Sequence, residues 1–337
     1  MERESGVIQW VVAMPSEESA DHQLAELFES LATATRCQLW MPFQTNLSPT
    51  SPWKQTICLQ HLRASLHPTP RLVVFRTAAD GWVLNQAYGR APDLRRLQLL
   101  TGVEAIHGGH GVSDQPAIRV ALGEHVAAGL TSAGIFRESM ISLPIGIDPR
   151  RLPDPPPIEQ RSSPVVLLAR HQPNLGREVQ QLLEQQGQPC HCEVTPWSHR
   201  QWQTAIASSP AALVLAGPAA MNSQRRLTAM ALDTLVVANP GAPGDNLCRD
   251  GVNAIVRPPE AQALGSALLS LLDPNQTSLR RQLLEGARST VVRHRPALQK
   301  QRWLEIATDG LAELWRQARE EFCQAGAVVQ KGEEQGL

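Results

Sequence analysis

Lysine is nearly missing: of 31 Lys and Arg residues, only Lys54, Lys300 and Lys331 are lysines. Any anion site must therefore be built from guanidinium forks and backbone amides. A surplus of either charge is missing as well. The 31 basic and 32 acidic residues leave a net charge of −1, which removes the general electrostatic footprint of a nucleic-acid binder. Long apolar runs are lacking, since stretches such as Val165–Ala169 and Ala211–Ala216 fall far short of the roughly 18 residues of a membrane span. Met1-Glu2-Arg3-Glu4 precedes no apolar signal core, so a cytoplasmic protein is expected. The six cysteines (37, 58, 190, 192, 248 and 323) do not form a disulfide framework and read as reduced thiols. No G-x-S-x-G, Walker loop, H-E-x-x-H or G-x-G-x-x-G is present, which weakens serine hydrolase, P-loop NTPase and metalloprotease readings. Cys190-His191-Cys192 has no second Cys or His pair at structural-zinc spacing, and consecutive residues alternate faces in a strand, so no metal is expected.

What is there is an ordinary globular composition, 42% hydrophobic and 19% charged over 337 residues, enough for two domains. Pro149, Pro153 and Pro155-Pro156-Pro157 mark a seam that neither a helix nor a central strand can cross. The expected division is an N-terminal Rossmann-like domain over 1–150, a Pro-rich linker over 151–163 and a C-terminal Rossmann-like domain with terminal helices over 164–330.

In the first half, apolar runs at Val7–Met14, Cys37–Met41, Ile57–Leu59, Leu72–Phe75, Val103–Ile106, Ile118–Val120 and Met140–Ile147 are strand candidates. A helix spaced on Leu24, Leu27, Phe28 and Leu31 follows the first of them. The second half alternates more cleanly. Strands are expected at Val165–Ala169, Cys192–Val194, Ala211–Leu215, Leu235–Ala238 and Ala254–Val256, and helices at Leu175–Gln186, Gln201–Ala207 and Ser223–Leu232. Further helices follow from Pro258-Pro259 to Leu272, over Leu279–Val292 and over Ala297–Val329. Trp303 and Trp315 on the last of these read as packing residues, and the polar tail Lys331–Leu337 as disordered. This βαβ order predicts parallel sheets, with ligands at the carboxyl ends of the strands.

Three segments offer chemistry. His107-Gly108-Gly109-His110-Gly111 lets backbone approach a ligand closely beside two imidazoles, although a tight turn would look the same. Arg170 ends a strand and Arg177 falls in the first turn of the expected helix, a plausible phosphate cradle among many surface arginines. Asn239 and Gly241 open a loop that continues through Asp245 and Asn246, and this loop could present amides and a carboxylate to sugar hydroxyls or phosphate. A plain turn at Asp250-Gly251 is the simpler reading of the segment that follows.

The segments Ala229-Met230-Ala231-Leu232-Asp233-Thr234-Leu235-Val236-Val237-Ala238 and Arg249-Asp250-Gly251-Val252-Asn253-Ala254-Ile255-Val256-Arg257-Pro258-Pro259 resemble the carboxy-terminal signature of family-4 glycosyltransferases. Ser142-Leu143-Pro144-Ile145-Gly146-Ile147-Asp148 resembles the segment that closes their first domain. The match covers about residues 140–275. It implies a GT-B fold, two Rossmann-like domains with a cleft between them and C-terminal helices, and retaining transfer from a nucleotide diphosphate sugar. By this resemblance the chain would be a divergent member of the group. The paired donor-binding glutamates are replaced by Ala220 and Thr228, and the Gly-rich loop after the first strand by Ser16-Glu17-Glu18-Ser19. The diphosphate-binding Arg corresponds to Arg170, with Arg177 standing in for the Lys, and the acidic residue before the second signature falls at Asn246 beside Asp245.

By the resemblance, His110 would orient the acceptor or stabilise developing charge, Arg170 and Arg177 would bind diphosphate, and Asp245 and Asn246 would bind donor sugar or ribose. The expected function is hexosyl transfer from a nucleotide-sugar donor to a glycan or lipid-linked acceptor. No nucleic acid and no metal or other cofactor are expected, and a lipid-linked acceptor would bring peripheral membrane contact. The alternative is a non-catalytic GT-B-fold binding or scaffold protein, favoured by the missing glutamates. A different nucleotide-sugar enzyme, such as an epimerase, is a third class.

Overall fold

The structure, a computed structural model, describes residues 6–13, 19–42, 51–54, 56–89, 91, 93–100, 116–132, 140–193, 197–216, 221–241, 246–308 and 311–334. The chain divides into two compact units, one of Met1–Leu143 with Lys300–Leu337 and the other of Pro144–Gln299.

In the first unit the described strands are β1 (Ile8–Val11), β2 (Cys37–Trp40), β3 (Leu62–Arg63), β4 (Leu72–Phe75), β5 (Arg96–Leu100), β6 (Ile118–Leu122) and β7 (Met140–Leu143). They form one parallel sheet in the order β3-β2-β1-β4-β5-β6-β7. Helices α1 (Ser19–Ala32), α2 (Thr56–Gln60), α3 (Ala78–Tyr88) and α4 (Glu124–Ser132) connect them. Chain order reverses between β1 and β4. There the Asp80 carboxylate accepts the Ala13 amide at 2.6 Å and the Thr77 amide at 2.8 Å, tying the end of β1 to the capping box that starts α3.

Two strand expectations need correction. Ile57–Leu59 lies within α2 and not in a strand, because so short an apolar run suits a buried helical turn equally well. Strand β5 was not expected, since Arg96 and Gln98 interrupt its apolar pattern, yet all five of its residues are buried. Arg96 donates to Asn85 Oδ1 at 2.6 Å and to Gly89 O at 2.9 Å, and Gln98 donates to Arg76 O at 3.1 Å. These bonds offset the desolvation of both side chains. The run Val103–Ile106 lies outside the described residues.

In the second unit β8 (Val165–Leu168), β9 (Cys190–Cys192), β10 (Ala211–Val214), β11 (Leu235–Ala238) and β12 (Ile255–Val256) form a parallel sheet ordered β12-β11-β10-β8-β9. The helices are α5 (Pro173–Gln185), α6 (His199–Ser208), α7 (Met221–Ala231), α8 (Ala261–Leu272) and α9 (Thr277–Arg293). Leu167, Leu213 and Val237 pack with Val179 and Leu183 of α5 and with Leu264, Leu268 and Leu271 of α8. Strands β8, β10 and β11 are apolar throughout because both faces are covered.

Arg161, 8% exposed, fixes the Pro-rich segment to the amino ends of these strands. Its guanidinium donates to the carbonyls of Pro156, Ser209 and Leu232 and to Thr234 Oγ1 at 2.8–3.2 Å.

From Lys300 the chain belongs to the first unit. Trp303 is fully buried with its ring centroid 5.8 Å from that of Trp10, and Trp315 is 8% exposed. The single helix expected over Ala297–Val329 is two, α10 (Pro296–Thr308) and α11 (Leu311–Glu334), and α11 takes in part of the tail expected to be disordered. No helix among the described residues is long and apolar enough to cross a membrane.

Candidate functional site

An open parallel sheet binds ligands outside the carboxyl ends of its strands, where strand order reverses. In the second sheet that place lies between β8 and β10, and a chain of hydrogen bonds spans it. Gln172, the N-cap residue of α5, donates from Nε2 to Ala216 O at 2.9 Å. The Ala216 amide in turn donates to Asn239 Oδ1 at 2.5 Å, and Arg226 of α7 donates to Asn239 O at 3.0 Å. The ends of β8, β10 and β11 are thereby joined to the middle of α7.

A second tie runs to β9. Glu193 continues that strand by one residue, its amide donating to Leu167 O at 2.8 Å. Its carboxylate receives both terminal nitrogens of Arg225, at 2.5 and 2.9 Å, and the Trp197 amide at 3.2 Å. The Arg225 guanidinium lies 5.5 Å from the centre of the Trp202 ring, within range of a cation–π contact. Side-chain exposure is 3% for Arg225 and 0% for Glu193, so the pair is buried and bidentate.

The middle of α7 is unusual in composition. Ser223, Gln224, Arg225, Arg226 and Thr228 are all no more than 5% exposed, beside the apolar Leu227. Helices buried on every side are normally apolar. A run of polar residues held out of water calls for partners or for a ligand.

The sequence-predicted residues fall as follows. Arg170 follows β8 and is half-buried. Helix α5 begins at Pro173, whose fixed φ suits the first helical position, so Arg177 stands in the second turn and is exposed. Its charge acts on the Cys192 thiol. Asn239 is 5% exposed and joined to Ala216 and Arg226, Gly241 is half-buried and Asn246 is exposed. Gly108, Gly109, His110, Gly111, Asp245 and Ala220 lie outside the described residues. Thr228, 1% exposed, occupies the position of the second glutamate of the resemblance.

Sequence reasoning missed Glu193, Gln224, Arg225 and Arg226. One signal was available: Ser223-Gln224-Arg225-Arg226 sits between two wholly apolar strands, where a helix must bury at least one face.

The signature segment after β11 is internally closed. Asn253 Oδ1 accepts the Arg249 amide at 2.7 Å, and its Nδ2 donates to Leu247 O at 2.7 Å and Thr290 Oγ1 at 2.9 Å. Asp250 accepts the Val256 amide at 2.9 Å and pairs with Arg257 at 3.0 Å. Gly251 takes the positive φ of +69° that the turn needs.

A groove of about 790 Å³ opens at the other end of the sheet, beside Pro156, Pro189, Pro210 and Leu235. It lies at the amino ends of the strands, away from the switch point. Its guanidiniums at Arg280 and Arg288 are engaged by the Leu271 and Asp273 carbonyls and by Asp233. The carboxyl edge is therefore the better candidate.

Cys190 is buried, His191 exposed and Cys192 half-buried, as alternation along β9 requires. No group of three or more metal-ligating side chains occurs among the described residues. Burial pushes the thiols of Cys37 and Cys190 up to about 11, whereas Cys323 is exposed. A raised value keeps the thiol protonated, leaving roughly a thousandth as thiolate at pH 8. Iodoacetamide at that pH is expected to label Cys323 first and to reach Cys37 and Cys190 only on unfolding. Peptide mass mapping over time checks this, and early labelling of Cys190 would overturn it.

No protein-family model matches the chain, and no curated protein matches it by sequence. Solved structures do match. A glycosyltransferase of Rickettsia africae superposes with a TM-score of 0.64 at 14% identity, covering 90% of this chain and 98% of that one. HepE of Anabaena, in complex with UDP and glucose, gives 0.65 at 12% identity over 88% and 98%. Sucrose-phosphate synthase of Thermosynechococcus elongatus gives 0.62 at 13% identity over 94% and 100%. The fold is that of the GT-B glycosyltransferases. At these identities the likeness speaks for the architecture of the two parallel-sheet units and for nothing finer.

Proposed function

We propose that this GT-B-fold protein is a glycosyltransferase that moves a hexose, with retention, from a nucleotide diphosphate sugar to a glycan or lipid-linked acceptor. The observation that carries the reading is the switch point of the second sheet. There a buried polar stretch of α7 is held to the ends of β9 and β11, and Arg170 follows β8, one of the two strands that flank the switch point. HepE structures that share the fold contain UDP or UDP-glucose. A uridine diphosphate sugar is therefore the first donor to test.

In this reading Arg170 and Arg177 neutralise the diphosphate, without a metal or other cofactor. Asn239, Gly241, Asp245 and Asn246 bind ribose or donor sugar, while Gly108, Gly109 and Gly111 carry His110 to the acceptor. The bond from the anomeric carbon to the β-phosphate oxygen breaks and the acceptor oxygen takes its place. The acceptor proton passes to the departing phosphate. Guanidiniums matter most where leaving-group charge develops.

A thermal-shift panel of UDP-, GDP-, ADP- and dTDP-sugars with the free nucleotides tests the reading. One nucleotide is expected to raise Tm by several degrees, as ligand well above its Kd must. Arg170→Ala is expected to lose most of that shift. No response across the panel would sink the proposal and favour a scaffold role. That second reading rests on Ala220 and on the buried Thr228, where two donor-binding carboxylates would otherwise stand.

A further inference from the structure

Gln224 stands in the buried polar stretch of α7. It is 4% exposed, and its Oε1 is shut from solvent with no hydrogen-bond partner. Its two successors fix where this stretch of helix lies. Arg225 is tied to Glu193 at the end of β9 and Arg226 to Asn239 at the end of β11. Gln224 therefore sits at the carboxyl edge of the sheet, on the helix that follows β10, one of the two strands flanking the switch point. Thr228 lies one turn further along the same face.

A buried carboxamide oxygen with no partner is uncommon in folded proteins, and where it persists it asks for an explanation. Packing does not require an amide here, since a methionine fills nearly the same volume with no polar atom. The explanation nearest to the geometry is an incoming donor group. An amide oxygen accepts from hydroxyls, and a nucleotide sugar offers them on its ribose and on its hexose.

We propose that Gln224 contacts the donor and determines its selection, its Oε1 accepting a hydrogen bond from a hydroxyl of the nucleotide sugar. This rests on the donor-site reading given above. Ligand-free protein carries the oxygen unpaired, and binding supplies its partner. A neutral amide makes this contact independent of pH across the range in which carboxylates titrate. It also discriminates against analogues lacking the hydroxyl, because the site then keeps its orphan.

Gln224→Met and Gln224→Glu test this, each measured by ligand-free Tm and by titration calorimetry with UDP and UDP-glucose. Gln224→Met removes the unpaired oxygen and is expected to raise ligand-free Tm by about 2 °C while weakening UDP-glucose about tenfold. Gln224→Glu keeps an acceptor at the same reach and is expected to bind within about threefold of the unmodified protein. If UDP weakens in parallel, the hydroxyl is on the ribose; if only UDP-glucose weakens, it is on the hexose. Unchanged UDP-glucose binding by Gln224→Met, or a lowered ligand-free Tm, overturns the assignment while leaving the donor reading in place. No binding of any nucleotide by the unmodified protein defeats both.

Discussion

Glu193→Ala is expected to destabilise the second unit by about 3–5 kcal/mol, the cost of leaving a buried charge without its partner. Arg225 would remain in a site where its side chain is 3% exposed, facing the Trp202 ring without a counter-charge. The Trp197 amide would lose its acceptor as well. The gross attraction of the pair matters less than this asymmetry, since two well-hydrated ions gain little on being buried together. The double substitution Glu193→Leu with Arg225→Met should therefore recover most of the loss, because no unpaired charge remains. Chemical denaturation of the single and double variants checks this by the interaction energy between the two sites. A cost below about 1 kcal/mol for Glu193→Ala would mean that water reaches the pair in solution. Loss of the pair should also loosen α7, so nucleotide affinity is expected to fall together with stability.

Gly286→Ala is the second large effect, and its sign is the test. Alanine in the middle of a helix normally gains about 0.5–1 kcal/mol over glycine. Here the added Cβ would collide with Val252 O and stand 2.7 Å from its carbonyl carbon and 3.3 Å from Asn253 Cα. Every one of those atoms is backbone, so no rotamer change relieves the clash. The turn cannot retreat cheaply, since Val252 and Asn253 both donate to Arg249 O, at 3.0 and 3.2 Å, and Asn253 is held by Thr290 of the same helix. Helix α9 would have to lift off the turn or break it. A loss of about 3 kcal/mol is expected by calorimetry or denaturant titration. A neutral or stabilising result would show that the helix and turn are not packed as described.

The two effects bear on different parts of the unit. Glu193 and Arg225 hold the helix beside the candidate donor site. Gly286 and Asn253 hold the turn that carries the Arg249–Pro259 segment of the resemblance, so in this chain that segment is explained by its architecture. A likeness in Asp250-Gly251-Val252-Asn253 therefore speaks for how the chain folds after β11 and not for what it binds.

Legibility followed burial and local self-sufficiency. Val165–Leu168, Ala211–Val214 and Leu235–Ala238 could be read directly, because a strand covered on both faces must be apolar at every position. Helix α5 could be read from its spacing of Val179 and Leu183, although its start at Pro173 came two residues earlier than expected. Strand β5 could not be read, because Arg96 and Gln98 are made compatible with burial by Asn85, Gly89 and Arg76, and no local pattern encodes those bonds. The site behaved likewise. Arg170 and Asn239 could be singled out as candidates because they stand at the ends of recognisable strands. Glu193 and Arg225 lie 32 positions apart, and neither reads as anything but a surface charge until the fold joins them.

The sequence by itself determined the alternation of strands and helices, the parallel sheets that follow from it and the strand ends at which chemistry can sit. Hydrophobic burial is a near-neighbour property of the chain, and period and composition carry it. Only the tertiary structure decided the strand order that sets the switch point, the pairing of Glu193 with Arg225 and the isolation of Gln224. Desolvation of a polar group depends on partners brought in from distant segments, and the linear pattern does not contain that information.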